Sequence, residues 1–409
     1  MFTISFCKVE YFIIYSLNLI IYNYLFTFIV KKVFMIILEV NNFIKRLEMI
    51  MVKYKLPVGT GPIKKARPFN TLTDLQKEIY KKVYDPVNGL LFFAENCCYV
   101  NRNGIQPYEP FDYQREMLFN LRNYTSVISL WSRQNGKTIT TVIYLLWYAM
   151  VFDHKQILVC AQSKDAASEN LEKIRLAYEY CPNFLKKGLV SSNKTTMTFD
   201  NGSKIFVRPS NSNAPRGLTP SIVYCDEFAF VGSQDSAEKG LEKQKEFFSA
   251  LTPSLSSSKG SLFITSTPIS ETDLFYQLWN GAKTKTDDKG LDIPCDYILK
   301  INGKLYHDFH LFKTKEEAET YAKSIENEDT IVEVVEKSPA GYNGFQSQLV
   351  KWDVCPLKDK EWAEMEMKRV GLEKFNREYN CLSGDSLVTI MDENGYIKNV
   401  SLEMLYNFY

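Results

Sequence analysis

The sequence predicts an α/β fold with a mainly parallel sheet, and three observations predict it. An apolar, partly β-branched run at 127–131 ends in small and polar residues, and Gly136-Lys137-Thr138 then opens an apolar stretch, 139–150, suited to a buried helix. The alternation repeats, with a buried strand at 157–161 and a helix over 165–180. About ninety residues past the glycine, another apolar strand, 221–225, ends in the paired carboxylates Asp226 and Glu227.

The loop of the first unit carries the chemistry. A loop feeding a helix N-terminus aims backbone N–H groups and the positive end of the helix dipole at an anion. In Ser132-Arg133-Gln134-Asn135-Gly136-Lys137-Thr138 the lysine would reach the β- and γ-phosphates of a nucleotide, and the threonine hydroxyl would hold Mg²⁺. The general pattern has a first glycine where this chain has Trp131, so the loop alone also fits an ordinary strand-to-helix turn with a solvated lysine. The acidic pair decides between these. Asp226 suits a Mg²⁺ ion approached through its bound water, and Glu227 suits orienting an attacking water. Both motifs in this order point to a nucleotide hydrolase.

Composition sets the limits. With 409 residues, 45% of them hydrophobic and 14% aromatic, the chain has room for two or three domains and material for a core. A formal net charge of +1 gives no basic footprint for nucleic acid, so any DNA binding must come from local patches. Nine cysteines lie scattered from Cys7 to Cys381 without metal-ligand spacing, and three histidines do not supply a zinc site. A reducing cytoplasm is the simplest reading, with Cys97-Cys98 in the core.

Residues 11–30 carry no charge, precede Lys31-Lys32 and are long enough to cross a bilayer. Yet 29 of the first 50 residues are Ile, Phe, Tyr, Asn or Lys, all spelled by A/T-only codons, and the composition shifts near Met51. We therefore expect 1–50 to be translated upstream sequence with the start at Met49 or Met51, the alternative being a membrane anchor. Residues 51–104 read as an extended arm and a helix over 72–84 capped by Thr71 or Thr73. In Phe111-Asp112-Tyr113-Gln114-Arg115, the Gln114 amide beside Tyr113 could read an adenine edge, or simply sit on an amphipathic helix. Alternation over 195–207 around Asp200-Asn201-Gly202-Ser203 predicts a hairpin. Residues 212–218 form a flexible approach to the acidic strand, with Arg216 at its tip. A last apolar strand at 261–264 ends in Thr265-Ser266-Thr267-Pro268, hydroxyls placed to sense a γ-phosphate.

With those motifs in line, the chain resembles the ATPase domain of the large terminase subunit, the DNA-packaging motor of tailed bacteriophages. The resemblance covers roughly 105–281 and returns at about 351–380. It implies a P-loop NTPase core of the ASCE (RecA-like) kind over 105–284, using ATP and Mg²⁺. In that family the loop also begins Ser-Arg-Gln and lacks the first glycine. Arg133 and Arg216 look like its arginines that stabilise charge on the transferred phosphoryl group, Arg216 in a neighbouring subunit's site, and which of them acts stays open. Thr265, Ser266 and Thr267 look like its coupling motif. Double-stranded DNA, a portal protein, a small terminase subunit and a ring homo-oligomer are the implied partners, at the procapsid portal in the host cytoplasm and without a membrane.

Two stretches depart from the family. Within 285–340, segments 296–299 and 305–312 should pair as a hairpin around Asn302-Gly303, followed by a helix over 315–325 and a strand over 330–335, a small inserted αβ unit. After 341–380, which closes the ATPase region, the family continues into a nuclease domain. Here Cys381-Leu382-Ser383-Gly384-Asp385-Ser386 instead resembles the first block of an intein, with a hairpin turning at Asp392-Glu393-Asn394-Gly395. Residues 381–409 would then be a short β-rich intein N-terminal fragment, Cys381 its nucleophile, and the partner a complementary C-terminal fragment bearing the nuclease. The rival readings are a helicase-like ATPase outside packaging and an inactive or membrane-anchored precursor.

Overall fold

The computed structural model of the chain describes residues 56–101, 104–381, 387–391 and 397–401, the last two as backbone. The apolar stretch 11–30, the expected start near Met49 or Met51 and the turn at 392–395 lie outside them. Among the described residues no helix is long and apolar enough to cross a membrane.

The Thr73 hydroxyl accepts from the Gln76 N–H and the Gln76 amide oxygen from the Thr73 N–H, a reciprocal capping box that starts helix α1 (Asp74–Val83). Helix α2 (Gly89–Cys97) is largely buried, as are Cys97 and Cys98, and a short hairpin of β1 (Tyr99–Asn101) and β2 (Ile105–Pro107) follows. Helix α3 (Asp112–Asn123) then leads to strand β3 (Ser126–Trp131) and helix α4 (Lys137–Val151). Apart from Lys137 and the threonines of its first turns, α4 is apolar nearly all round, which is the pattern of a central helix. Its Trp147 indole N–H donates to the Val83 carbonyl at 2.9 Å, tying the arm helix to the core.

Strand β4 (Gln156–Ala161), helix α5 (Lys164–Tyr180) and strands β5 (Leu189–Ser192), β6 (Thr196–Phe199) and β7 (Lys204–Pro209) come next, β6 and β7 pairing antiparallel as the alternation predicts. Strand β8 (Ile222–Asp226), the 22-residue helix α6 (Ala237–Ser258), strand β9 (Ser261–Ser266) and helix α7 (Leu274–Lys283) complete the central unit. Strand β13, given below, joins its edge, so the eight-stranded sheet runs β13-β3-β9-β8-β4-β7-β6-β5. The pairs from β13 to β7 are parallel and the last two antiparallel. Strands of a parallel sheet are covered on both faces and read as apolar runs rather than alternating ones, and β8 is buried at every position. Beneath it Phe228, Phe247, Phe275 and Trp279 pack with Leu130, Val223 and Ile264 in one core.

The inserted unit is a separate three-stranded sheet, β11-β10-β12, of β10 (Asp296–Ile301), β11 (Lys304–Leu305) and β12 (Val332–Lys337), with helix α8 (Lys315–Ile325). The turn falls at Asn302-Gly303 as expected, but the returning arm is corrected. Only Lys304 and Leu305 pair, and β12 is the full-length antiparallel partner of β10. Tyr306 is the reason. It takes φ +57° and swings its ring 5.3 Å from Phe119, so the chain leaves the ladder and rejoins it only at Phe312, opposite Tyr297.

Strand β13 (Gln346–Val350), helix α9 (Lys360–Val370) and helix α10 (Leu372–Glu378) close the central unit. Beyond Cys381, β14 (Leu387–Met391) and β15 (Ile397–Ser401) pair antiparallel, from Leu387 opposite Ser401 to Met391 opposite Ile397.

Candidate active site

The site forms where β3, β9 and β8 end. Strand β9 lies between the other two, so its last residues stand between the loop and the acidic pair. In register, Ser129 faces Thr265 on one side, and Thr265 faces Asp226 on the other.

The loop is bent by two left-handed residues. Gln134 has φ +60° and Gly136, the residue before α4, has φ +84°. Glycine meets that conformation without a Cβ clash, whereas a glutamine there stores strain of about 1–3 kcal/mol. Ser132 and Asn135 are buried and joined by a hydrogen bond from Asn135 Nδ2 to Ser132 Oγ at 2.7 Å. Lys137 opens α4, and its Nζ sits 2.6 Å from Glu227 Oε1. Glu227, just past β8, is also left-handed at φ +51°, and its other oxygen accepts the Thr267 N–H at 3.3 Å. The carboxylate therefore spans from the loop lysine to the end of β9.

Asp226 is buried and surrounded by donors. Tyr224 OH and Thr265 Oγ1 reach one oxygen at 2.8 and 3.1 Å, and Asn170 Nδ2 of α5 reaches the other at 2.9 Å. Thr138 Oγ1 lies 3.4 and 3.3 Å from the two oxygens. That facing hydroxyl and carboxylate is the donor chemistry of a Mg²⁺ site, in which the protein supplies few oxygens and phosphates and water supply the rest. Burial and the adjacent carboxylate push the Tyr224 phenol far above its ordinary range, so it stays a donor.

A cavity of about 530 Å³ opens here, lined by Arg133, Gln134, Gly136, Lys137, Thr138 and Glu227. Val100 and Asn101 of β1, Ile139 of α4, and Lys173 and Leu176 of α5 complete its wall. Ser266 Oγ accepts the Ala229 N–H at 3.2 Å and helps set the turn after Glu227.

Other expected residues sit elsewhere. Gln114 is fully buried. Its oxygen accepts the Phe111 N–H at 3.0 Å and its nitrogen donates to the Asn135 carbonyl at 3.0 Å, so its amide braces the loop from behind. Tyr113 is half-buried, edge-on to Trp131 with centroids 5.3 Å apart. Arg216 is exposed at the tip of a tight run of turns outside the cavity wall, and the carbonyls of Ala214 and Arg216 accept from Arg208 Nη1 at 2.7 and 3.1 Å. Cys381, at φ +54°, holds its sulfur 3.9 Å from the Val350 carbonyl, and burial pushes its thiol up to about 12.

Sequence reasoning missed Tyr224, Asn170 and Lys173. Tyr224 was within reach, because residues two apart in a strand share a face and Tyr224 precedes Asp226 by two. Asn170 and Lys173 carried no local signal, since only the packing of α5 on β4 and β7 brings Asn170 to Asp226 and Lys173 to the cavity wall.

Known proteins resemble this chain. The ATPase domain of the Thermus phage P74-26 large terminase is 18% identical, with a TM-score of 0.41, over 67% of this chain and 94% of that one. The HK97 bacteriophage large terminase is 21% identical, with a TM-score of 0.38, over 47% of this chain and 40% of that one. A large terminase from a thermophilic bacteriophage in complex with ADP is 11% identical, with a TM-score of 0.41, over 69% of this chain and 55% of that one. The family model for the terminase large subunit, T4likevirus-type, N-terminal, matches residues 128–399. That match spans well over half of the sequence and takes in the loop, the acidic pair and the hydroxyl strand end, so the chain belongs to the terminase large-subunit family.

Proposed function

We propose that this chain is the ATPase motor part of a phage terminase, hydrolysing ATP to ADP and phosphate to drive double-stranded DNA into a procapsid. The observation that carries this reading is the Lys137–Glu227 pair at 2.6 Å across the mouth of a loop-lined cavity, with Asp226 facing Thr138 behind it. Nucleotide phosphates take the place of Glu227 on Lys137, which frees the carboxylate to orient the attacking water. Thr138 and Asp226 would hold Mg²⁺, which would neutralise charge on the phosphate oxygens. Tyr113 and Gln114 serve the adenine end. Gln114 does so by bracing Asn135 and, where it gives up that bond, by meeting the base edge. Arg133 lines the cavity and serves its own site, whereas Arg216, exposed, suits reaching a neighbour's site in a ring of copies. Thr265, Ser266 and Thr267 link the acidic pair to β9 and carry the change at the phosphates into the sheet.

The portal protein, the small terminase subunit and a complementary intein fragment are the further partners of this reading, which acts at the procapsid portal in the host cytoplasm. The intein part rests on the Cys381–Asp385 motif and the hairpin after it. A half-buried, protonated Cys381 thiol agrees with a chain that does not splice alone. Stimulation of hydrolysis by a portal or small subunit, rather than strand separation, distinguishes the packaging motor from a helicase.

The test is hydrolysis by purified chain. Glu227→Gln should retain Mg·ATP binding and lose turnover by about 100-fold or more, and Lys137→Ala should lose binding. A Glu227→Gln variant that turns over at the parent's rate removes Glu227 from the mechanism.

A further inference from the structure

A loop that turns its N–H groups inward on a phosphate turns its carbonyls outward, where donors from the rest of the chain can fix them. Three residues serve them here. The Gly136 carbonyl takes the N–H and hydroxyl of Thr140 at 3.0 and 2.9 Å, within α4 itself. The Asn135 carbonyl takes the Gln114 amide. The Arg133 carbonyl takes Lys358 Nζ at 2.8 Å, from the segment between β13 and α9 and more than two hundred residues away in sequence. The same ammonium donates to Asn135 Oδ1 at 2.7 Å and lies 4.9 and 5.4 Å from the ring centroids of Trp362 and Tyr379.

We propose that Lys358 is a positioning residue for nucleotide binding, holding Arg133 and Asn135 on either side of the left-handed Gln134 so that the loop is set for phosphate before ATP arrives. This rests on the ATPase reading above. A non-glycine residue does not keep φ +60° unless its neighbours enforce it, and Lys358 fixes both of them. Its aromatic cradle holds the ammonium at that spot. The rest of the seat does not depend on it: Ser132 N–H donates to the Val350 carbonyl at 2.8 Å and Arg133 N–H to the Glu378 carbonyl at 3.0 Å. The Arg133 guanidinium meanwhile faces Glu378 at 3.5 Å.

Burial lowers the Lys358 ammonium to about 8, against the pull of Cys355, Glu366 and Cys381. Of the other charges nearby, Arg133 is paired with Glu378 and Arg369 with Glu366. A charge-assisted bond is roughly twice as strong as a neutral one, so the grip on the loop weakens as pH rises through that value.

The experiment titrates Mg·ATPγS into the purified full chain by calorimetry at pH 7 and pH 9. Lys358→Met should bind about tenfold more weakly than the parent at pH 7, and Lys358→Arg, which keeps a charged donor between the rings, within about threefold. The parent-to-methionine affinity ratio should shrink towards one at pH 9, while melting temperatures stay within a few degrees. Lys358→Gln, a neutral donor, falls between the two, and should methionine not fold the parent-to-glutamine ratio is expected to shrink at pH 9 in the same way. Methionine binding within about twofold of the parent at pH 7, or a ratio unchanged by pH, overturns the assignment while leaving the ATPase reading intact. An arginine variant as weak as methionine with a lowered melting temperature overturns it too, as a packing role only. A parent that binds no Mg·ATPγS overturns the ATPase reading and this assignment with it.

Discussion

At the scale of residues, the site is a set of groups held out of their ordinary preferences. Gln134 and Glu227 are both left-handed, and the Glu227 backbone puts its carboxylate on Lys137 rather than in solvent. Asp226 is buried because side-chain donors surround it, and a buried carboxylate stripped of one costs about 1–3 kcal/mol. Asn170→Ala should therefore lower the unfolding free energy by about that much, read from denaturant midpoints, while Asn170→Asp should cost more, because it sets a second carboxylate against the first. Cys381 gives a test of a different kind. Its ordinary thiol value near 9 is raised to about 12 by burial, so over pH 7–9 it stays protonated in the folded chain. Alkylation of Cys381 at pH 8, followed by mass spectrometry, should be much slower than in the same chain unfolded in urea, with the difference fading only near pH 12. Equal rates would remove burial as the control on this thiol.

Among the elements, α3 does more than its amphipathic pattern announces. Its first turn braces the loop through Gln114. One turn on, Glu116 takes Lys337 of the inserted sheet at 3.2 Å and Gln348 of β13 at 3.3 Å. Where α3 ends, Tyr124 OH donates to buried Asp296 at 2.8 Å, and Lys313 holds that carboxylate's other oxygen at 2.7 Å. The inserted unit is thus tied to the same helix that touches the loop. Lys337 is itself buried, its ammonium 5.2 and 5.6 Å from the rings of Tyr306 and Phe119. Lys337→Met should cost about 1–3 kcal/mol by leaving Glu116 part-paired. The loss should appear as faster proteolysis within 285–340 before the central sheet is cut. Cleavage that starts in the sheet instead would mean the unit is not anchored through this contact.

For the whole molecule, the activity proposed for the described residues is ATP hydrolysis and not DNA cleavage. Among the described residues no group of three or more His, Cys, Asp or Glu side chains is gathered to hold a metal ion. Pure protein should leave plasmid DNA intact with Mg²⁺ or Mn²⁺, and cleavage that survives removal of 381–409 would contradict this. Mixed with the product of a reading frame bearing intein-like C-terminal blocks, the chain should yield a ligated species by mass spectrometry, with bond exchange at the Asn380–Cys381 peptide. A thiol suits this attack as the best side-chain nucleophile near neutral pH, but here it first has to be uncovered. Cys381→Ala should abolish ligation and leave hydrolysis intact; ligation that persists in that variant sinks the intein reading.

Four of the parallel strands, β3, β4, β8 and β9, were legible because burial on both faces writes itself as near-continuous apolar runs; the edge strand β13, Gln346–Val350, carries no such run and was missed. The loop and acidic pair were legible because their chemistry depends on adjacent residues, Gly136-Lys137-Thr138 and Asp226-Glu227. The hairpin of the inserted unit misled, because Asn302-Gly303 fixes a turn but not which later segment completes the ladder; aromatic packing of Tyr306 on Phe119 decided that. Strand order was likewise a tertiary matter. Nothing local places β9 between β3 and β8, yet that order brings Thr265 to Asp226 and Thr267 to Glu227. The sequence by itself determined which residues could grip a phosphate. Only the tertiary structure decided what holds them ready, since Gln114 of α3 and Lys358, which serve carbonyls of the loop, and Asn170 of α5, which serves Asp226, are joined to the site only by packing.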